Sequence, residues 1–130
     1  MLLLKTSKDT ISKVVETAKH ALAACPDYIP GELVLIAQTK EDLKPGESPI
    51  KYRMEIVRIY EDKDNESDQI WGKHWKYIVE GRNCLPLKNP FDISDVQITD
   101  KNYVHGGTYF HVERADAEVL MKEGWLDIAL

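Results

Sequence analysis

Trp71 and Trp75 are the side chains of this sequence whose type and spacing point most directly to chemistry. Trp71 follows a strongly acidic run and precedes Gly72, outside any alternating strand pattern. An aromatic ring in that position either packs or forms one wall of a stacking pocket, and a stacked base contributes ~1–3 kcal/mol. Trp75 shares strand parity with Tyr77 and Val79, which reads as core. Trp125 follows Gly124 at the end of the last helical segment and reads as a packing residue.

Other chemistries find less support. The metal-ligand types His20, Cys25, His74, Cys84, His105 and His111 form no C-x₂-C and no H-E-x-x-H pattern, so no metal or other cofactor is expected. Cys25 reads as a helix end before a proline and Cys84 as part of a loop, neither within a nucleophile signature. There is no G-x-S-x-G, no P-loop and no G-x-G-x-x-G, and Gly106-Gly107 is long enough only for a turn.

The 130 residues fit one domain, and 43% hydrophobic content supports a core without metal or disulfide staples. No apolar run approaches a membrane span, and two cysteines cannot build a disulfide scaffold, so a soluble, reduced, cytoplasmic protein is expected, with no membrane partner. The net charge is −5, but residues 61–68 hold five acids against one lysine and leave the rest nearly neutral. Such a body cannot grip duplex phosphates strongly, although it can take a nucleotide into a pocket. The acidic run itself reads as an exposed, mobile loop.

These residues must be positioned by the elements around them. Residues 2–6 read as a strand. Ile11, Val14, Val15, Ala18 and Leu22 recur at helical spacing and predict a helix over 9–25, stopped by Pro26. Residues 31–39 form an apolar run expected to be a strand buried on both faces. In 50–60, Ile50, Tyr52, Met54 and Ile56 alternate with Lys51, Arg53 and Glu55, and the adjacent Ile56 and Val57 break phase as a bulge would. Residues 74–80 predict another strand, after which Pro86 and Pro90 predict a loop; 92–99 read as extended material. A strand near 108–112 and a helix over 115–123, ended by Gly124, complete the chain. Consecutive strands with helices at the two ends argue α+β: a small bent β-barrel with flanking helices.

Four stretches resemble the EVE domain of the PUA-like superfamily, which also holds the YTH and ASCH domains. Residues 2–8, LLLKTSK, are similar to an opening W-L-x-K-S-E-P, with Lys5 matching and Lys8 in place of the proline. PGELVLI at 30–36 resembles the G-D-x-hydrophobic second strand, and YRMEIVRIYED at 52–62 the x-G-x-x-E-V-x-x-x-Y-x-D rhythm of the next. GTYFHVERADAEVL at 107–120 is similar to the last strand and helix, written R-x-S-V-x-P-V-S-x-x-E-Y. The family's W-x-G-V-R-N stretch is absent. The resemblance implies residues 1–130 as a single PUA-like domain with a pocket for a modified base. Trp71 occupies a place like that of a YTH cage tryptophan, and Tyr28 or Trp75 would supply the second wall. Thr6 or Ser7 would contact the base edge and Lys5 a flanking phosphate; Arg53 has no motif match, but its strand side faces opposite to Tyr52 and Met54, which makes it a further candidate phosphate or base contact.

The function expected is a non-catalytic reader that captures a flipped, modified (for example methylated) base of DNA or RNA in an aromatic-walled pocket. A nuclease or other effector protein is a further candidate partner. Two alternatives stand: an ASCH-like hydrolase of a modified nucleoside, for which Lys5, Thr6 and Glu55 have the right types, and a protein-interaction module using the acidic run.

Overall fold

The alternation of Leu2 and Leu4 with Leu3 puts apolar side chains on both faces of the first strand, so the sheet must be covered on both sides. The computed structural model describes residues 1–96 and 109–129. Among these the chain forms β1 (Leu2–Thr6), α1 (Ile11–Thr17), β2 (Lys19–Leu22), β3 (Leu33–Gln38), β4 (Ile50–Glu61), α2 (Glu66–Trp71), β5 (Tyr77–Phe91), β6 (Tyr109–His111) and α3 (Arg114–Lys122). One sheet takes the order β2-β5-β4-β3-β1-β6 and curls into a half-barrel. The architecture is α+β. The only parallel pair among its described strands is β1 with β3.

Leu2, Leu4, Val14, Leu22, Val34, Ile36, Met54, Ile56 and Val79 fill the inner face beneath α1 and β2. Leu3, Leu35, Ala37, Ile50, Phe91, Ile93, Leu120 and Leu126 fill the outer face beneath α3 and the C-terminal segment. Trp125 packs there against Phe91, ring centres 5.2 Å apart. The expected barrel is not closed by backbone pairing, because β2 and β6 are free edges of the described sheet. A side chain spans part of the gap: His20 Nε2–H of β2 donates to the Lys5 carbonyl of β1 at 2.9 Å.

Several expectations need correction. The helix predicted over 9–25 stops at Thr17, where Ala18 turns left-handed at φ 55° and the chain enters β2. Leu22 reaches the core by strand alternation with His20, through antiparallel pairing to residues 77–80. Tertiary pairing overrides the local helical pattern there. The predicted loop after Glu80 instead continues as strand to Phe91, and Pro86 pairs beside a register shift where a missing donor is tolerated. Ile50 does not share a face with Tyr52, Met54 and Ile56, because the β4 register slips between Ile50 and Tyr52 and turns Ile50 outward. The break expected at Ile56-Val57 is present, as a shift between Ile56 and Arg58. Ile93–Asp95 is a 3₁₀ turn rather than extended chain, while 97–99, His105 and Thr108 lie outside the described residues. No described helix is long and apolar enough to cross a membrane.

Candidate functional site

The acidic stretch is not a loose loop. Asp62 is buried and accepts from the backbone N–H groups of Glu66 and Ser67, both at 2.9 Å, and from the Ser67 hydroxyl. Those bonds satisfy otherwise orphaned donors at the start of α2, so the carboxylate orders the turn that charge repulsion was expected to loosen. The Ser67 hydroxyl, and then the Ser67 and Glu66 amides, hold the Asp62 carboxyl down at about 2. Ser67 Oγ in turn accepts from Trp75 N–H at 2.9 Å, and Asp62 N–H donates to the Lys76 carbonyl at 2.8 Å. Glu66 ties α2 to the sheet through Lys19 and the Tyr60 hydroxyl. The same run of acids therefore fixes both ends of the segment that carries the two tryptophans.

Helix α2 ends at Trp71 because Gly72 takes a left-handed φ of 73° and returns its N–H to Asp68. That reversal brings Trp71, Lys73 and Trp75 to one cavity of about 490 Å³ at the end of β1. Its other walls are Lys5, Thr6 and Ser7 from β1 and its exit, Thr10 and Val14 around the start of α1, His20 and Ala21 from β2, and Thr39 after β3. The size lies within the ~300–1,000 Å³ usual for small-ligand sites. Thr6 shares the parity of Leu2 and Leu4, so the cavity continues the inner face of the curl beyond its apolar filling.

Five of the seven residues expected at a base-binding site meet here: Trp71, Trp75, Lys5, Thr6 and Ser7. Two do not line it. Tyr28 packs beside the inner core, and Arg53 sits midway along β4, in register with Leu35 and Leu85. The assignment of Trp75 to the core is overturned. The residue is half-buried, belongs to neither core cluster and carries the Lys73 ammonium 4.6 Å from its ring centre. The alternating segment begins at Tyr77 in the structure, so parity counted back to Trp75 runs past the end of the strand.

Polar groups cluster on one side. Thr10 Oγ1 meets the Thr6 hydroxyl in a short contact and the Ser7 hydroxyl at 2.9 Å; Thr39 Oγ1 donates to the Thr6 carbonyl at 3.1 Å. Burial lowers the Lys5 ammonium pKa, with Lys40 adding to the effect and Asp92 opposing it. Lys5 also lines a small adjoining cavity with Leu3 and Lys40. His20 is the polar residue that spacing did not single out. Burial pushes its pKa down to about 4 against the opposing backbone of Lys5 and Ala21, and its Nδ1 has no hydrogen-bond partner. His20 is not among the residues of the apolar stripe expected over 9–25, and the chain reversal at Ala18 into β2 puts it inside.

Among the described residues no carboxylate lines the cavity. Glu55 is paired with Arg82 at 2.8 Å. Asp62, Asp68 and His74 bring ligand-type atoms within 4.8 Å of one another, a grouping the sequence pattern did not suggest, and the Asp62 oxygens there already serve as the cap of α2. Cys84 is half-buried, with burial raising its thiol to about 11, so the thiolate a nucleophile needs is disfavoured. No family model matches the chain, and no curated protein is significantly similar to it.

Proposed function

We propose that the chain is a non-catalytic reader that takes a single unstacked, modified base of DNA or RNA into the Trp71 cavity, as an EVE-like member of the PUA-like superfamily would. The observation that carries this reading is the convergence of Trp71 and Trp75 with the Thr6, Ser7 and Thr10 hydroxyls on one cavity of about 490 Å³. Apolar faces and a few convergent polar groups are what base recognition needs: the rings stack on the base and the hydroxyls meet its edge. Lys5 and Lys73, both lining the cavity, supply positive charge for the flanking phosphates. A weakly charged body suits this mode, since affinity comes from the pocket rather than from many backbone contacts. The hydrolase alternative loses its proposed carboxylate, because Glu55 is bound to Arg82 and does not line the cavity.

The test is a titration of short single-stranded DNA and RNA carrying one central methylated or hydroxymethylated base, against unmodified controls, followed by tryptophan fluorescence. Trp71→Ala is expected to weaken the preferred oligonucleotide by about 5- to 150-fold through loss of one stacking face. Equal binding of modified and unmodified strands, or an affinity indifferent to Trp71, overturns the reading.

A further inference from the structure

Lys73 is exposed, lines the cavity and holds its ammonium 4.6 Å from the ring centre of Trp75, which lines the cavity too. Among the described residues no carboxylate pairs with Lys73. The acids nearest to it in sequence are committed elsewhere: Asp62 to the start of α2, Glu66 to Lys19 and Tyr60, and Asp68 to His74 at 3.1 Å. Lys5, the second lysine of the lining, has Asp92 near enough to act on its ammonium. With His20 neutral and no carboxylate among the described lining residues, the charge around the cavity is positive, and Lys73 is its uncompensated source.

We propose that Lys73 is the specificity-determining residue of this pocket and selects by charge: the cavity takes bases whose modification leaves them neutral, and rejects bases made cationic by methylation of a ring nitrogen. The inference rests on the base-capture reading and narrows its ligand class. Aromatic walls are the usual holders of a cationic ligand, because the ring face carries negative potential. At Trp75 the chain's own ammonium already draws on that potential. A base stacked about 3.5 Å from the same ring lies about 8 Å from the charge, roughly one Debye length at physiological salt. That holds for either face of the indole, so the repulsion does not require the ammonium to point into the cavity. A neutral methyl group adds apolar area to the stack and meets no such opposition.

The test uses the full chain and two isomeric pairs of single-stranded oligonucleotides, each strand carrying one modified central base. One pair sets 5-methylcytosine against 3-methylcytosine, the other N6-methyladenine against N1-methyladenine. Within a pair the methyl group only changes place, and the second isomer is cationic at neutral pH. The readout is the ratio of the two affinities, in which any contact of Lys73 to a flanking phosphate cancels. Wild-type protein should favour the neutral isomer, more strongly at about 0.01 M salt than at about 0.15 M. Lys73→Gln should lower that preference by about 3- to 10-fold, the effect of one screened charge at this distance, and Lys73→Glu by a further factor of similar size. Both variants should melt as the wild type does, since Lys73 is exposed. A ratio unchanged in both variants, even with all affinities lowered together, overturns the inference, as does a wild-type preference for the cationic isomer. Either result leaves base capture standing on its Trp71 dependence. If wild-type protein binds none of the four strands, base capture itself fails and this inference falls with it.

Discussion

Trp71 and Trp75 differ from the core aromatics in what holds them. Trp125 sits on Phe91 over the outer core, whereas the pocket tryptophans are half-buried and outside both clusters. Truncating Trp75 should accordingly cost less than about 2 kcal/mol in denaturant melts, below the ~3–5 kcal/mol of a fully buried tryptophan, and Trp71→Ala should behave alike. A loss of core size in either variant would place that ring in the fold rather than in a pocket. His20 carries the opposite signature, since its burial is visible in the pH dependence of stability. Its folded pKa of about 4 lies below the ordinary 6.5, so the unfolded chain takes up a proton first as pH falls. The stability it contributes is whole above about pH 6.5 and drains away as the pH drops toward 4. Urea melts should therefore show wild-type protein losing roughly 2 kcal/mol between pH 6.5 and 5, a loss that His20→Gln abolishes. The depressed carboxyls of Asp62 and Glu66 start from 3.8 and 4.5, so their losses begin below that window.

Among the elements, β2 and β5 were the hardest to read from the sequence, and for different reasons. Ala18 and Leu22 continue a helical stripe, yet four residues paired to β5 bury His20 and Leu22 and satisfy a row of backbone groups at once. Nothing within a window of one turn announces that partner. In β5 the prolines signalled a break, but the β4–β5 register shifts, with Asn83 left-handed at φ 52° among them, absorb residues a regular ladder would reject. Gly81 marks the tightest point. A Cβ there would lie 2.5 Å from Met54 Sδ and 3.1 Å from the Glu55 carbonyl, and its own N–H donates to Ala18 at 2.7 Å. Met54 can give way but the backbone oxygen cannot, so Gly81→Ala should destabilise by about 1–3 kcal/mol in chemical melts. An unchanged midpoint would mean that β4 and β5 separate more easily than their packing indicates.

At the scale of the whole molecule, two apolar clusters lie back to back across the sheet, and the cavity opens from only one of them. Stability and ligand binding should separate accordingly. Leu120 is fully buried in the outer cluster, and Leu120→Ala should cost about 2–5 kcal/mol in melts while oligonucleotide affinity stays within about twofold at temperatures where the variant is folded. Loss of binding in the folded variant would show that the two faces are coupled. The sequence alone determined the α+β class, the strands at 2–6, within 31–39 and over 50–60, and the closing helix, because each carries its own period of burial and its own stop residues. It also singled out Trp71, by its place outside the alternating pattern, and the resemblance to EVE domains added Lys5, Thr6 and Ser7, all four of which line the cavity. Only the tertiary structure decided that Trp75 faces the cavity, that the acids at 62 and 66 brace it, and that His20 is buried with a nitrogen unpaired. Those three outcomes depend on which strand β2 pairs with and on where β5 begins, and both are settled by contacts between residues far apart in the chain.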